Sequence, residues 1–168
     1  MLIRPAQGIE AGILSDLAMR SKAYWGYDDA FMAACREELT LSAATIESRR
    51  TAVAELDGRL LGFATLEGEP LEGTLGMLFV EPDAIGRGVG RRLFEHVMAN
   101  ARALGFARLT IDADPHAEPF YLAMGARRIG ATPSESIPGR MLPLLAVTFT
   151  GSGPDSGPES PSVLWVHS

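Results

Sequence analysis

Between residues 51 and 67 apolar and β-prone side chains alternate with polar ones in two runs, 51–56 and 59–67, separated by Asp57-Gly58. A period of two with Asp-Gly between the runs predicts a β-hairpin closed by a two-residue turn. Further on the period changes: Val89, Leu93, Val97, Ala101 and Leu104 recur at steps of three and four, with Arg91, Arg92, Glu95 and Arg102 on the other faces. That spacing predicts an amphipathic helix, stopped by Gly105. Ile9, Ile13, Leu14, Leu17 and Ala18 predict an earlier helix to about residue 20, and a second spans 29–39. The aromatic loop Tyr24-Trp25-Gly26-Tyr27-Asp28 joins them. Apolar runs at 2–6, 75–80, 107–112, 126–129 and 141–149 read as strands, and 117–124 as a short helix ended by Gly125.

Strands around two or more helices, with one strand–Gly-rich turn–helix–strand unit in the middle, predict an α/β (α+β) domain with a mixed sheet, residues 1–150. Beyond it, residues 151–168 begin GSGPDSGPESPS and read as a Gly/Ser/Pro-rich C-terminal tail. The tail ends in Val163-Leu164-Trp165-Val166, apolar enough to serve a contact such as a homodimer interface.

The 168 residues, 46% hydrophobic and 21% charged, suit one globular domain and leave no room for a second. A net charge of −6 repels polyanions, so neither nucleic acid nor an anionic membrane is an expected partner. The three histidines, His96, His116 and His167, pair with no second ligand at metal-site spacing, so no metal is expected. The single Cys35 lies in Met32-Ala33-Ala34-Cys35, the apolar face of a helix, and reads as a buried, inert thiol. No basic start followed by an apolar run opens the chain, and nowhere do about 18 uninterrupted apolar residues occur. The expected location is cytoplasmic.

The stretch most informative about chemistry is Leu78-Phe79-Val80-Glu81-Pro82 followed by Ile85-Gly86-Arg87-Gly88-Val89-Gly90 and the long helix. Glycines at 86, 88 and 90 permit a tight turn with inward-pointing N–H groups, and the helix N-terminus adds partial positive charge at the same spot. Such a loop suits a phosphate, with Arg87, Arg91 and Arg92 near enough to neutralise it or simply solvated. There is no P-loop pattern, and Gly88-Val89-Gly90-Arg91-Arg92-Leu93 lacks the third dinucleotide glycine, which sets ATP and NAD behind other phosphate ligands.

From about residue 74 to 125 the chain resembles the GCN5-related N-acetyltransferase (GNAT) superfamily. The resemblance rests on Leu78-Phe79-Val80-Glu81-Pro82, Gly88-Val89-Gly90, Phe120-Tyr121 and Met124-Gly125-Ala126 in that order and spacing, and the preceding strand, helices and hairpin extend it over residues 2–149. It implies a single-domain GNAT fold: a mixed, mostly antiparallel central sheet flanked by helices, with a splayed strand pair at an acetyl-CoA site. The implied activity is transfer of acetyl from acetyl-CoA to a primary amine by direct attack, the acceptor being a small molecule or a peptide. Backbone N–H groups from Arg87 to Arg91 would hold the coenzyme A pyrophosphate. Leu78, Phe79 and Val80 would pair with the pantetheine arm, with an N–H near Phe79 or Val80 polarising the thioester carbonyl. Tyr121 matches the tyrosine that protonates the departing thiolate, with Phe120 beside it.

Three positions depart from the family pattern. Ile85 stands where Arg or Gln usually begins the loop, Asp114 replaces an Asn, and Gly76 and Met77 occupy a strand position that often holds an acid. The general base is therefore open between Glu72, Glu69, His116 and ordered water. That open question keeps a second reading alive, a non-catalytic acyl-CoA-binding or regulatory module. Tyr24, Trp25, Tyr27 and Asp28 lie where the family's first two helices wall the acceptor pocket, and aromatic faces with carboxylates suit an ammonium. Asp28 equally suits a helix cap. The segment Ser136-Ile137-Pro138-Gly139-Arg140 either touches the acceptor or turns the chain.

Overall fold

The Asp57-Gly58 hairpin forms as the alternation requires, joining β2 (Ala52–Leu56) to β3 (Arg59–Glu69) in a computed structural model that describes residues 1–149. The Gly/Ser/Pro-rich tail lies outside the described residues. Before the hairpin come β1 (Leu2–Pro5), α1 (Ala11–Ala23), α2 (Asp29–Leu39) and α3 (Ala43–Ser48). After it come β4 (Glu72–Val80), α4 (Val89–Leu104), β5 (Arg108–Asp112), α5 (Glu118–Ala123), β6 (Arg127–Pro133) and β7 (Met141–Thr148).

Three elements differ from expectation: α3, β4 and β6, the last running to Pro133 rather than 129 because it stays paired with β7 as far as Met141. Helix α3 was not visible in the pattern because six residues carry too little periodicity, with Ile46 its one buried side chain. What starts it is a reciprocal cap, Thr45 N–H to Ser42 Oγ at 3.2 Å and Ser42 N–H to Thr45 Oγ1 at 2.8 Å. Strand β4 begins at Glu72 rather than near 75, because β3 and β4 stay paired to the hairpin end, Gly68 opposite Gly73 and Glu69 opposite Glu72.

The seven strands lie in the order β1-β2-β3-β4-β5-β7-β6 and pair antiparallel except β4 with β5. That parallel pair is the crossover carried by α4, and it is short. Only Glu72, Gly73 and Thr74 register against Arg108, Leu109 and Thr110, whereas β4 stays paired to β3 as far as Val80. Past Thr74 the two strands diverge and leave a wedge between them.

Strand alternation divides the core in two. Leu66 and Leu75 face α4, where Leu93, Phe94, Val97, Leu109, Ile111 and Tyr121 complete one cluster. Val53, Phe63 and Met77 face the other way and meet Leu14, Leu17 and Leu39 of α1 and α2, with Cys35 at 3% exposure. Cys35 is thus buried as expected, and burial pushes its thiol pKa up, which keeps it protonated.

Candidate active site

The wedge between β4 and β5 opens into a cleft of about 1060 Å³ that passes through the sheet. On the α4 side it is lined by Ile85, Gly86, Gly88, Val89, Gly90, Arg91, Phe120 and Tyr121, and on the α1–α2 side by Lys22, Trp25, Glu38, Arg49, Glu67 and His116.

Strand β4 sets which backbone groups face the wedge. Glu81 N–H donates to Leu61 O at 2.8 Å and Met77 N–H to Thr65 Oγ1 at 2.9 Å, both toward β3. Backbone direction alternates along a strand, so the N–H groups of Leu78 and Val80 point to the opposite edge, where β5 has left. Phe79 N–H falls with Glu81 and points to β3. Of the two positions singled out for a carbonyl donor, Val80 has the right phase and Phe79 the wrong one, and Leu78 joins Val80.

At the end of β4 the loop leads into α4. Gly86 (φ +85°) and Gly88 (φ +80°) adopt left-handed conformations that favour glycine, which explains their places in the motif. Gly90 has no such conformation, and a Cβ there would make ordinary contact, 3.4 Å from the Phe120 ring and 3.7 Å from Val80, so α4 starts close against α5 and β4 with room for no more than a small side chain. The first N–H with an intrahelical acceptor is Arg92, to Gly88 O at 3.1 Å. The N–H groups of Val89, Gly90 and Arg91 therefore lack intrahelical partners at the positive end of a 16-residue helix. Arg92, counted earlier among the phosphate cations, instead donates to Met1 O at 2.7 Å. Ile85, with no polar group, is 43% exposed on the loop.

Tyr121 sits across the wedge on α5, 5% exposed, its ring 5.2 Å from Phe120 and 6.2 Å from Phe94. Burial first and the Asp114 charge second push its phenol pKa well above the ordinary 10, so the hydroxyl stays protonated across the physiological range.

The remaining predicted residues gather on the α1–α2 side. Asp114 is the hub: Lys22 Nζ donates to its Oδ2 at 2.9 Å, Tyr27 Oη at 2.8 Å, and His116 N–H to its Oδ1 at 2.9 Å. His116 Nδ1 lies 3.0 Å from Asp114 Oδ1. Burial alone would raise the Asp114 pKa, but the Lys22 hydrogen bond and charge, with His116 N–H and the Tyr27 hydroxyl, hold it at about 2. Burial and the bond to Asp114 push Tyr27 up to about 12. Arg140 donates to Tyr27 Oη at 2.8 Å and stacks over the Phe31 ring at 4.8 Å, so the β6–β7 loop is tied to the aromatic loop. Trp25 lines the cleft with its ring stacked on His116, centroids 5.0 Å apart.

Four predicted residues stand elsewhere. Tyr24 is 53% exposed against the edge of Trp25. The Asp28 carboxylate accepts from Phe31 N–H at 2.8 Å and serves as the α2 cap. Glu72 lies at the paired end of β4, 70% exposed beside Arg108 at 3.8 Å, although it touches the cleft rim. Glu69 pairs with Arg50 at 3.3 Å and is 85% exposed. The sequence pattern marks none of Lys22, Thr65 and Glu67, whereas Arg140 closes the 136–140 segment, which meets the acceptor-side residues through Tyr27 and Asp114. Among the described residues, no group of three His, Cys, Asp or Glu is placed to hold a metal ion, and no helix is long and apolar enough to cross a membrane.

A strand edge freed by divergence, leading to unpartnered N–H groups at a helix start, suits an extended ligand that ends in phosphates. These residues fit acetyl-CoA: backbone donors for the pyrophosphate, exposed Arg87 and Arg91 beside them, and Leu78 and Val80 for the pantetheine amides. The profile described as acetyltransferase (GNAT) domain matches residues 19–136, and the chain belongs to the GNAT family of acetyl-CoA-dependent N-acetyltransferases. A GCN5-related N-acetyltransferase structure from Rhodopseudomonas palustris superposes with a TM-score of 0.73 at 26% identity, covering 86% of this chain and 93% of that one. The ribosomal-protein-S18-alanine N-acetyltransferase of Escherichia coli shares the fold at a TM-score of 0.68 and 18% identity, over 93% and 98% of the two chains. An amino-acid acetyltransferase of Ralstonia nicotianae is 46% identical over 61 residues, 35% of this chain; the match spans 14% of that protein's length.

Proposed function

We propose that this domain acetylates a primary amine by direct attack on acetyl-CoA, with the donor entering from the α4–α5 side of the sheet and the acceptor from the α1–α2 side. The observation that carries this reading is the divergence of β4 from β5 past Thr74, which leaves a strand edge running to the start of α4. Bound there, acetyl-CoA supplies an activated acetyl group. Arg87 N–H is given to Ala84 O at 3.3 Å, so of the expected Arg87–Arg91 donors it is the N–H groups of Val89, Gly90 and Arg91 that hold the pyrophosphate, as helix starts hold anions. Leu78 and Val80 N–H groups grip the arm and polarise the thioester carbonyl without reorganisation, as main-chain donors do. Tyr121, held protonated by burial, returns a proton to the departing sulfur.

On the other side Trp25, His116, Glu38, Asp112 and Glu135 border the space left for the acceptor. Aromatic faces and carboxylates favour an ammonium group before it loses its proton. The amino-acid acetyltransferase likeness supports a small amine acceptor, and the S18-alanine enzyme's fold is equally compatible with a peptide N-terminus. A cytoplasmic location is part of this proposal.

The test is thermal unfolding with acetyl-CoA, coenzyme A, ATP and NADPH in parallel. Ligand at about a hundredfold over its dissociation constant stabilises by roughly 2.7 kcal/mol. A shift with the two coenzyme A species alone is expected, and its loss in Gly88→Glu, which puts a carboxylate and a strained φ at the phosphate loop. Shifts that survive Gly88→Glu would refute the loop assignment.

A further inference from the structure

The position on β4 where an acid was sought is Gly76, and it is not empty of carboxylate: a Cβ built on Gly76 would collide with the carboxylate of Glu67, which reaches across from β3. Strand register sets Glu67 opposite Thr74, and alternation with Thr65 puts it on the face covered by α1 and α2, the acceptor side. Its side chain is 31% exposed and lines the cleft.

The carboxylate is held there. Thr65, fully buried, donates its hydroxyl to Glu67 Oε2 at 2.8 Å while accepting Met77 N–H at 2.9 Å. Arg49 flanks the other oxygen, Nε to Oε1 at 3.8 Å, and its guanidinium is 3.7 Å from Met77 Sδ. The chain from Met77 N–H through Thr65 to Glu67 thus ties the carboxylate to the same turn of β4 that aims Leu78 N–H into the wedge. Gly76 and Leu78 are two residues apart, at most roughly 7 Å in an extended chain and less across a bulge. An amine nitrogen fills that span when it sits about 3 Å from a base and about 3 Å from the carbon it attacks.

We propose that Glu67 is the general base of this acetyltransferase, a carboxylate delivered from β3 to the place that Gly76 leaves open on β4; the assignment rests on the functional reading above. The Glu67 carboxylate takes one proton from the amine nitrogen. The nitrogen lone pair forms the bond to the acetyl carbon, the C–S bonding pair leaves with the sulfur, and the Tyr121 hydroxyl supplies its proton. Glu72 stands at the paired end of β4, and His116, with Nδ1 on Asp114 and Tyr27, keeps only Nε2 free, on a ring stacked against Trp25.

The test compares wild type with Glu67→Gln, Glu67→Asp and Glu67→Ala, using acetyl-CoA with L-glutamate, spermidine, kanamycin and a peptide beginning with alanine as acceptors. Thiol release reports turnover, and calorimetric titration with coenzyme A reports binding. Glu67→Gln is expected to lower kcat about 100-fold or more while coenzyme A affinity stays within about twofold and the melting temperature within a few degrees. Added formate should restore part of the Glu67→Ala turnover by entering the vacated space beside Gly76, and Glu67→Asp should fall between wild type and Glu67→Gln. Glu67→Gln retaining more than a tenth of wild-type kcat would overturn the assignment alone. Wild type that does not bind coenzyme A would overturn the functional reading and this inference with it.

Discussion

Asp114→Asn is the sharpest probe of how the acceptor wall is held. Every group that reaches the Asp114 carboxylate from Lys22, Tyr27 and the His116 backbone is a donor, so an acceptor-only side chain is required and an amide would turn an N–H₂ against them. The substitution also leaves Lys22 and Arg140, 14% and 18% exposed, without their shared anion. A carboxylate ordinarily at 3.8 and held at about 2 contributes about 2 kcal/mol to folding at neutral pH. The folded value lies below the unfolded one, so this stability is present above about pH 4 and lost as pH falls toward 2. Urea unfolding should show Asp114→Asn less stable at pH 7 by about 2–3 kcal/mol, a melting temperature lower by roughly 5–10 °C. The difference between the two proteins should shrink by about half at pH 3. A difference below about 0.5 kcal/mol at pH 7, or one of equal size at pH 3, would refute the claim that the charge of Asp114 organises this wall.

Tyr121→Phe keeps the ring packing against Phe94 and Phe120 and removes only the hydroxyl, so coenzyme A affinity and melting temperature should hold while kcat falls 100-fold or more; unchanged kcat would remove the acid role. Because burial keeps that phenol protonated, wild-type kcat should show no loss attributable to it up to pH 10. Trp25→Ala, which strips the ring stacked on His116, should raise KM for the amine several-fold and leave KM for acetyl-CoA unchanged; steady-state kinetics with each substrate varied would show it, and equal effects on both would place Trp25 outside the acceptor site.

What the sequence made legible was what is written in local spacing. The hairpin turn, the amphipathic α4 and the glycines that need positive φ all follow from residues within a few positions of one another, and the donor half of the site is built from them. The acceptor half is built from residues far apart in the chain. Lys22 meets Asp114 across 92 positions and Arg140 meets Tyr27 across 113, and nothing in the neighbourhood of either residue announces its partner. Asp28 shows the opposite case: of its two readings, acceptor contact and helix cap, the structure has the cap, at the nearest helix start three residues on. Glu67 is not legible in this way because the position that often holds an acid lies on β4, whereas the carboxylate arrives from the neighbouring strand.

The reason lies in the register of those two strands. Ala64 pairs with Leu78 and Leu66 with Leu75, so two steps on β3 match three on β4, and the extra residue is a bulge at Gly76-Met77. An extra residue reverses the phase of everything beyond it. Without the bulge, Leu78 and Val80 would turn their N–H groups to β3, and Phe79 would face the wedge instead. The bulge also brings Met77 N–H onto the Thr65 hydroxyl, whose own proton goes to Glu67. A side chain at Gly76 would have to displace the carboxylate that this bond holds. One inserted residue therefore sets the donor phase on one edge of β4 and fixes the acid over its face. That is why Gly76 replaces an acid here without the site losing its carboxylate.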